Sequence, residues 1–175
     1  MALPRAQAVE RLKHFVSRLA FDIEGLGKKI VEQFYEEGLI KSPADIFTLE
    51  ARNDGFEQPI CEREGWGDLS EKNLFASINE RRTIALNRFI YALGIRQVGE
   101  ATAKRLASVY GSVEALRDAM WAAQDRESEA FQDLLAIEDV GPAVADDLVG
   151  FFSEPHNQEV LQALGEQLTI EPYDA

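Results

Sequence analysis

The chain has 175 residues, 46% of them hydrophobic, with 31 acidic and 18 basic side chains and a net charge of −13. That is enough for a sizeable core, in one domain or in two small ones packed together. One cysteine, Cys61, excludes an internal disulfide and a cysteine-rich metal site, and neither a signal peptide nor an apolar run near the roughly 18 residues of a membrane span occurs.

In chain order the pattern is helical almost throughout. Ala6 to Arg18 puts Val9, Leu12, Phe15 and Val16 on one face, and Lys28 to Glu37 does the same with Ile30, Val31 and Phe34 before stopping at Gly38. Ser42-Pro43 starts a short helix, with serine at the cap and proline in the first position. Glu50 to Glu64 contains Asn53-Asp54-Gly55 and Pro59 and reads as an exposed loop. Helices follow at Leu69 to Glu80, Ala85 to Leu93, Ala101 to Tyr110, Ser112 to Ala123 (with Ser112 as cap), Phe131 to Ala136, Ala143 to Phe152 and His156 to Gly165. No alternating strand pattern of useful length occurs.

Four of these helices are preceded by variants of one pentapeptide. Ile23-Glu24-Gly25-Leu26-Gly27 and Arg63-Glu64-Gly65-Trp66-Gly67 keep both glycines. Ile95-Arg96-Gln97-Val98-Gly99 and Ile137-Glu138-Asp139-Val140-Gly141 keep the second glycine and the apolar residue before it. Such a segment makes a tight hairpin whose backbone N–H groups, with the following helix N-terminus, point at one spot suited to a phosphate oxygen. The second glycine is expected to take a positive φ or to leave an N–H unshielded, with close helix packing as the competing reason for it. Four copies suggest a surface that grips a nucleic-acid backbone without reading sequence. Asp139 and Glu138 put carboxylates where a phosphate would sit, so the fourth copy suits packing better than gripping, and Arg63 implies a different anchor for the second.

The charge is unevenly spread. Residues 1–80 carry 10 basic and 15 acidic side chains, residues 81–105 carry six against one, and residues 106–175 carry two against 15. The middle block, Arg81, Arg82, Arg88, Arg96, Lys104 and Arg105, fits a polyanion, although Arg81 and Arg82 also suit a helix C-terminus. The acidic part fits a basic protein partner. No catalytic constellation is evident. Lys-x-Asp-Gly and a Gly-x4-Gly-Lys-Ser/Thr loop are both missing, the carboxylate pairs Glu36-Glu37 and Asp146-Asp147 read as solvated faces, and His14 and His156 lie far apart.

The stretches Arg11-Leu-Lys-His-Phe-Val-Ser-Arg18, Asp22-Ile-Glu-Gly-Leu-Gly27 and Tyr91-Ala-Leu-Gly-Ile-Arg-Gln-Val-Gly-Glu100 resemble the helix-hairpin-helix domain of bacterial NAD-dependent DNA ligases. Gly65-Trp66-Gly67 with Ser70 and Asn73, and Val140-Gly141-Pro142 with Phe151-Phe152, match in order and spacing. The resemblance implies an all-α fold of four tandem helix-hairpin-helix motifs packed as one compact domain over 6–165, with motifs near 23–36, 63–80, 95–110 and 137–153. It leaves 1–5 unmatched and 166–175 as a tail or linker. It also implies an excised, non-catalytic part of a ligase, whose NAD, magnesium and zinc sites would lie in other domains, with no cofactor or metal here.

The implied role is to hold duplex DNA, nicked and gripped along the minor groove, beside the other domains of the ligase, as a monomer in the bacterial cytoplasm at the nucleoid. The residues expected to bind are Gly25, Gly27, Lys28, Lys29, Gly65, Gly67, Arg96, Gly99 and Lys104, with Arg81, Arg82 and Arg88 as weaker candidates. The alternatives are a scaffold that docks a basic partner through its acidic part, and a nuclease or excision-repair subunit, which would need a carboxylate metal cluster.

Overall fold

The computed structural model describes residues 3–174, which gather into two compact units, 3–82 and 83–174. The fold is all-α, as expected, with two hairpin motifs in each unit.

In the first unit, α1 (Arg5–Val16) packs on α2 (Lys28–Glu36), and α3 (Pro43–Ile46), α4 (Leu49–Arg52) and α5 (Asp68–Glu80) complete the core. Its centre is aromatic: Phe15 stacks on Phe21 at 4.2 Å between ring centroids, and Phe47 meets Phe15 edge-on. All three rings are buried. α2 ends because Gly38 takes φ +76°, which lets the Leu39 N–H donate to the Phe34 carbonyl and the Gly38 N–H to that of Tyr35. At the start of α3 the Asp45 carboxylate reaches back to the N–H groups of Lys41 and Ser42.

The exposed loop expected over 50–64 is instead folded into α4 and two 3-10 turns, Asn53–Gly55 and Ile60–Glu62. The cause is Asn53, which is buried. Its Oδ1 accepts the Ile60 N–H at 3.0 Å, and its Nδ2 donates to Glu71 on α5 at 3.0 Å. Glu71 also accepts the Cys61 N–H at 2.8 Å, so one carboxylate ties the segment down and sinks Ile60 into the core.

The second unit runs β1 (Thr83–Ala85), α6 (Leu86–Ala92), α7 (Glu100–Tyr110), α8 (Val113–Ala122), α9 (Glu129–Leu135), α10 (Pro142–Ser153), α11 (Pro155–Gln167) and β2 (Thr169–Glu171). α6 packs on α7, and α10 receives α8, α9 and α11. Ser112 caps α8 by accepting the Ala115 N–H, and Ser128 caps α9 through the Phe131 N–H. β1 and β2 pair in parallel, Thr83 opposite Thr169 and Ile84 opposite Ile170. Within 166–174, where a tail or linker was expected, α11 extends to Gln167, β2 follows, and the Tyr173 N–H donates to the Gly111 carbonyl at 2.8 Å. Strands of three residues are too short to show alternation in a sequence, which is why none was expected. Among the described residues no helix is long and apolar enough to cross a membrane.

Candidate nucleic-acid interface

All four pentapeptides form the same turn. The fourth residue's N–H donates to the first residue's carbonyl: Leu26 to Ile23, Trp66 to Arg63, Val98 to Ile95 and Val140 to Ile137. The third residue has a positive φ in each, +94° at Gly25, +83° at Gly65, +68° at Gln97 and +74° at Asp139, whereas the second residue has none. That is the type II pattern. The fifth residue then caps the helix, its carbonyl accepting the first intrahelical bond from Val31, Glu71, Ala103 or Ala145.

The positive φ expected of the second glycine therefore lies at the first-glycine position. Gly27, Gly67, Gly99 and Gly141 are extended helix caps with φ of −67°, −152°, −90° and −91°. What they share is open space: a methyl group at any of the four would meet no atom within 4 Å. Beyond each of them, the first-turn N–H groups have no acceptor inside the helix and carry the positive end of its dipole.

Within each unit the two hairpins lean on each other's helices. In the first, a Cβ on Gly25 would lie 3.2 Å from Leu74 Cδ1 on α5, while Trp66 stacks on Phe34 of α2 at 5.7 Å. Leu74 and Phe34 are 40 residues apart, as are Gly65 and Gly25. Glu24, Gly25, Glu64 and Gly65 line one depression. In the second unit Gln97 Nε2 donates to Asp147 on α10, and Arg105 Nε on α7 donates to Asp139 at 2.8 Å. Arg105 and Asp147 are 42 residues apart, as are Gln97 and Asp139. In the second unit each hairpin's left-handed residue thus reaches the equivalent position on the opposite helix, and Gly25 does the same in the first, whereas hairpin 2 reaches Phe34 through Trp66, the residue after its left-handed Gly65. The 42-residue offset is visible in the sequence, but the side-chain contacts that make the reciprocity are not.

The four sites differ in charge. α2 has Lys28 and Lys29 in its first turn and no acid there, and Gly25, Gly27 and both lysines are exposed. α5 begins with Asp68 and Glu71, and the Gly67 N–H already donates to Ser70 Oγ at 2.9 Å. Its hairpin is anchored by Arg63, which pairs with Glu37 and donates to the Gln58 carbonyl, in place of a buried isoleucine. At α7, Arg96, Gly99 and Lys104 are exposed beside Glu100. At α10, Glu138 and Asp139 face Arg105, and both pair with it.

The basic block of 81–105 is divided by the fold. Arg81 donates to the Asp22 carbonyl at 3.2 Å and pairs with its carboxylate, and Arg82 donates to the Phe47 carbonyl and lies over the Phe47 ring. Arg88 is partly buried. Arg96 and Lys104 are the members of the expected set that stand exposed in this block.

Residues 88–161 match the family described as the helix-hairpin-helix motif, which covers both hairpins of the second unit. Over 161 residues the chain is 62% identical to a DNA ligase of Rhodospirillum rubrum, a match that takes in 91% of the chain and 23% of that protein. The chain is a helix-hairpin-helix domain of the DNA ligases. DNA ligases of Xanthobacter autotrophicus (54% identity, 97% of the chain, 24% of the protein) and Azorhizobium caulinodans (51%, 97% and 26%) match as well. This ligase domain therefore spans about a quarter of the length of the curated relatives it matches.

Proposed function

We propose that this domain binds the backbone of duplex DNA without reading sequence, and that it helps an NAD-dependent ligase close around a nick during replication and repair. The supporting observation is the fourfold repetition of one type II turn feeding an uncrowded helix cap, an arrangement that presents N–H groups to phosphate oxygens. Hairpin 1 is the strongest seat, through the N–H groups following Gly27 and the charges of Lys28 and Lys29. Hairpin 3 is next, through Gly99, Arg96 and Lys104. Gly65 and Gly67 shape a weaker seat, because Asp68, Glu71 and Ser70 compete for it.

NAD, magnesium and zinc would act elsewhere in such a ligase, a monomer working at the nucleoid, and this chain alone would take up no AMP from NAD. The deciding experiment is a nicked-duplex titration at two salt concentrations. With roughly four to six phosphates contacted, the log–log slope of affinity against salt is about −4 to −5. Affinity should not depend on the duplex sequence. A strong preference for one sequence, or a flat salt response, would remove this reading.

A further inference from the structure

In the second unit, α8 and α11 both pack against α10 and leave a groove between them. Two depressions of about 360 and 330 Å³ run together there, sharing Arg117, Phe152, Leu161 and Gln162. Phe152 and Leu161 make the surface largely apolar, with Gln158 and Gln162 beside them, and Trp121 stands at one end with 62% of its surface exposed. An indole left this open beside a hydrophobic cleft is the kind of feature that anchors a partner. The rim is acidic. Glu114, Asp118 and Glu166 make no ion pair with any described residue, and Arg117 is the single cation among the lining residues. Beyond the rim, residues 106–175 hold 15 acids against two bases, a field that repels DNA and attracts cations.

We infer that this groove docks an amphipathic, lysine- or arginine-flanked helical segment of a second protein, with apolar side chains seated over Phe152 and Leu161 and against Trp121. Helix-in-groove recognition needs this combination: a two-helix cleft, a hydrophobic floor and a rim of the opposite charge. The site involves none of the hairpins and is independent of the DNA-binding reading.

The test uses this chain carrying Trp66→Phe, so that Trp121 is the only indole, and follows its fluorescence on titration with a synthetic amphipathic peptide of leucine and lysine. The expected result is a saturable blue shift, with affinity at least about tenfold above that of two controls, one with serine for leucine and one with glutamate for lysine. Asp118→Lys should weaken binding severalfold. Trp121→Ala, followed by displacement of a labelled peptide, should weaken it by about tenfold or more, with unchanged thermal melting. Equal binding of the serine control would reduce the surface to bulk charge and overturn the proposal. So would equal binding of the glutamate control, or no binding at all. Self-association of the chain that Trp121→Ala abolishes would give the groove to a second copy, and quenching of Trp121 by duplex DNA alone would give it to DNA; either outcome overturns it.

Discussion

Arg105 on α7 holds Asp139 in the turn of hairpin 4 through a 2.8 Å hydrogen bond and also pairs with Glu138, so the most acidic hairpin neutralises a cation that would otherwise face solvent. The Asp139 carboxylate, Arg105's strongest hydrogen-bond partner, and then Glu138 raise the guanidinium's affinity for its proton still further. Phosphate at this hairpin would have to displace both acids. Asp139→Asn removes one of them and leaves Arg105 paired with Glu138 alone, and asparagine tolerates the φ of +74°. The variant should bind nicked DNA at least as tightly as the parent, with a small loss in melting temperature, since the pair is largely exposed. Titration and melting of the same samples check both; weaker binding would mean that the bridge positions hairpin 4 for DNA.

The two glycines of hairpin 1 answer to different demands, and alanine separates them. Gly25→Ala meets a φ of +94° and brings Cβ within 3.2 Å of Leu74, so it should destabilise the domain by at least about 1–2 kcal/mol. Gly27→Ala has an extended backbone and free space, and as a cap change it should lower stability by only roughly 0.5 kcal/mol. Its methyl group stands where phosphate would approach, so DNA binding should fall although folding does not. Denaturant melts set beside titrations would show this split, and normal binding by a folded Gly27→Ala would make the hairpin a helix corner only.

Helix boundaries were legible where glycine, serine and proline punctuate them: Ser112 caps, Pro43 opens and Gly38 closes. The conformation inside the hairpins was less so. Glycine at all four cap positions looks like a demand for positive φ, yet the demand there is for space, while the positive φ falls on Gln97 and Asp139, whose side chains conceal it. The basic block misled for a different reason. Arg81 and Arg82 do lie at the end of α5, but their carbonyl partners are at Asp22 and Phe47, distant in sequence, so no local pattern shows those contacts. Asn53 likewise orders 50–64 through Glu71, 18 residues away.

That Asn53–Glu71 connection makes a pH prediction. Burial disfavours the Glu71 charge, but hydrogen bonds from Asn53 and from the Cys61 N–H and thiol outweigh it and hold its pKa below the ordinary 4.5. A lowered carboxylate stabilises the fold above its unfolded pKa, and that stability is lost as pH falls through the lowered value. The parent should therefore lose stability on acidification below about pH 4.5 more steeply than Glu71→Gln, which lacks the titrating group. The same contacts, burial first and then Glu71, push the Cys61 thiol up to about 11, so alkylation of Cys61 at neutral pH should be slow until the protein unfolds.

Arg81 and Arg96 carry the same charge 15 positions apart, and the fold leaves one partly buried and the other exposed. Arg81 is partly buried at the end of α5 and holds both the carbonyl and the carboxylate of Asp22, itself at a φ of +54°. Arg81→Ala should lower the melting temperature by several degrees and leave the salt slope of DNA binding nearly unchanged once the protein is folded. Arg96 is exposed in the turn of hairpin 3, beside an uncrowded cap at Gly99. Arg96→Ala should melt like the parent, bind duplex DNA more weakly irrespective of sequence, and flatten the log–log salt slope by about one unit. Melting curves and titrations at two or more salt concentrations on both variants separate the roles. If Arg96→Ala binds normally and Arg81→Ala loses a unit of slope, the phosphate seat lies on the α5 side and the assignment to hairpin 3 is wrong.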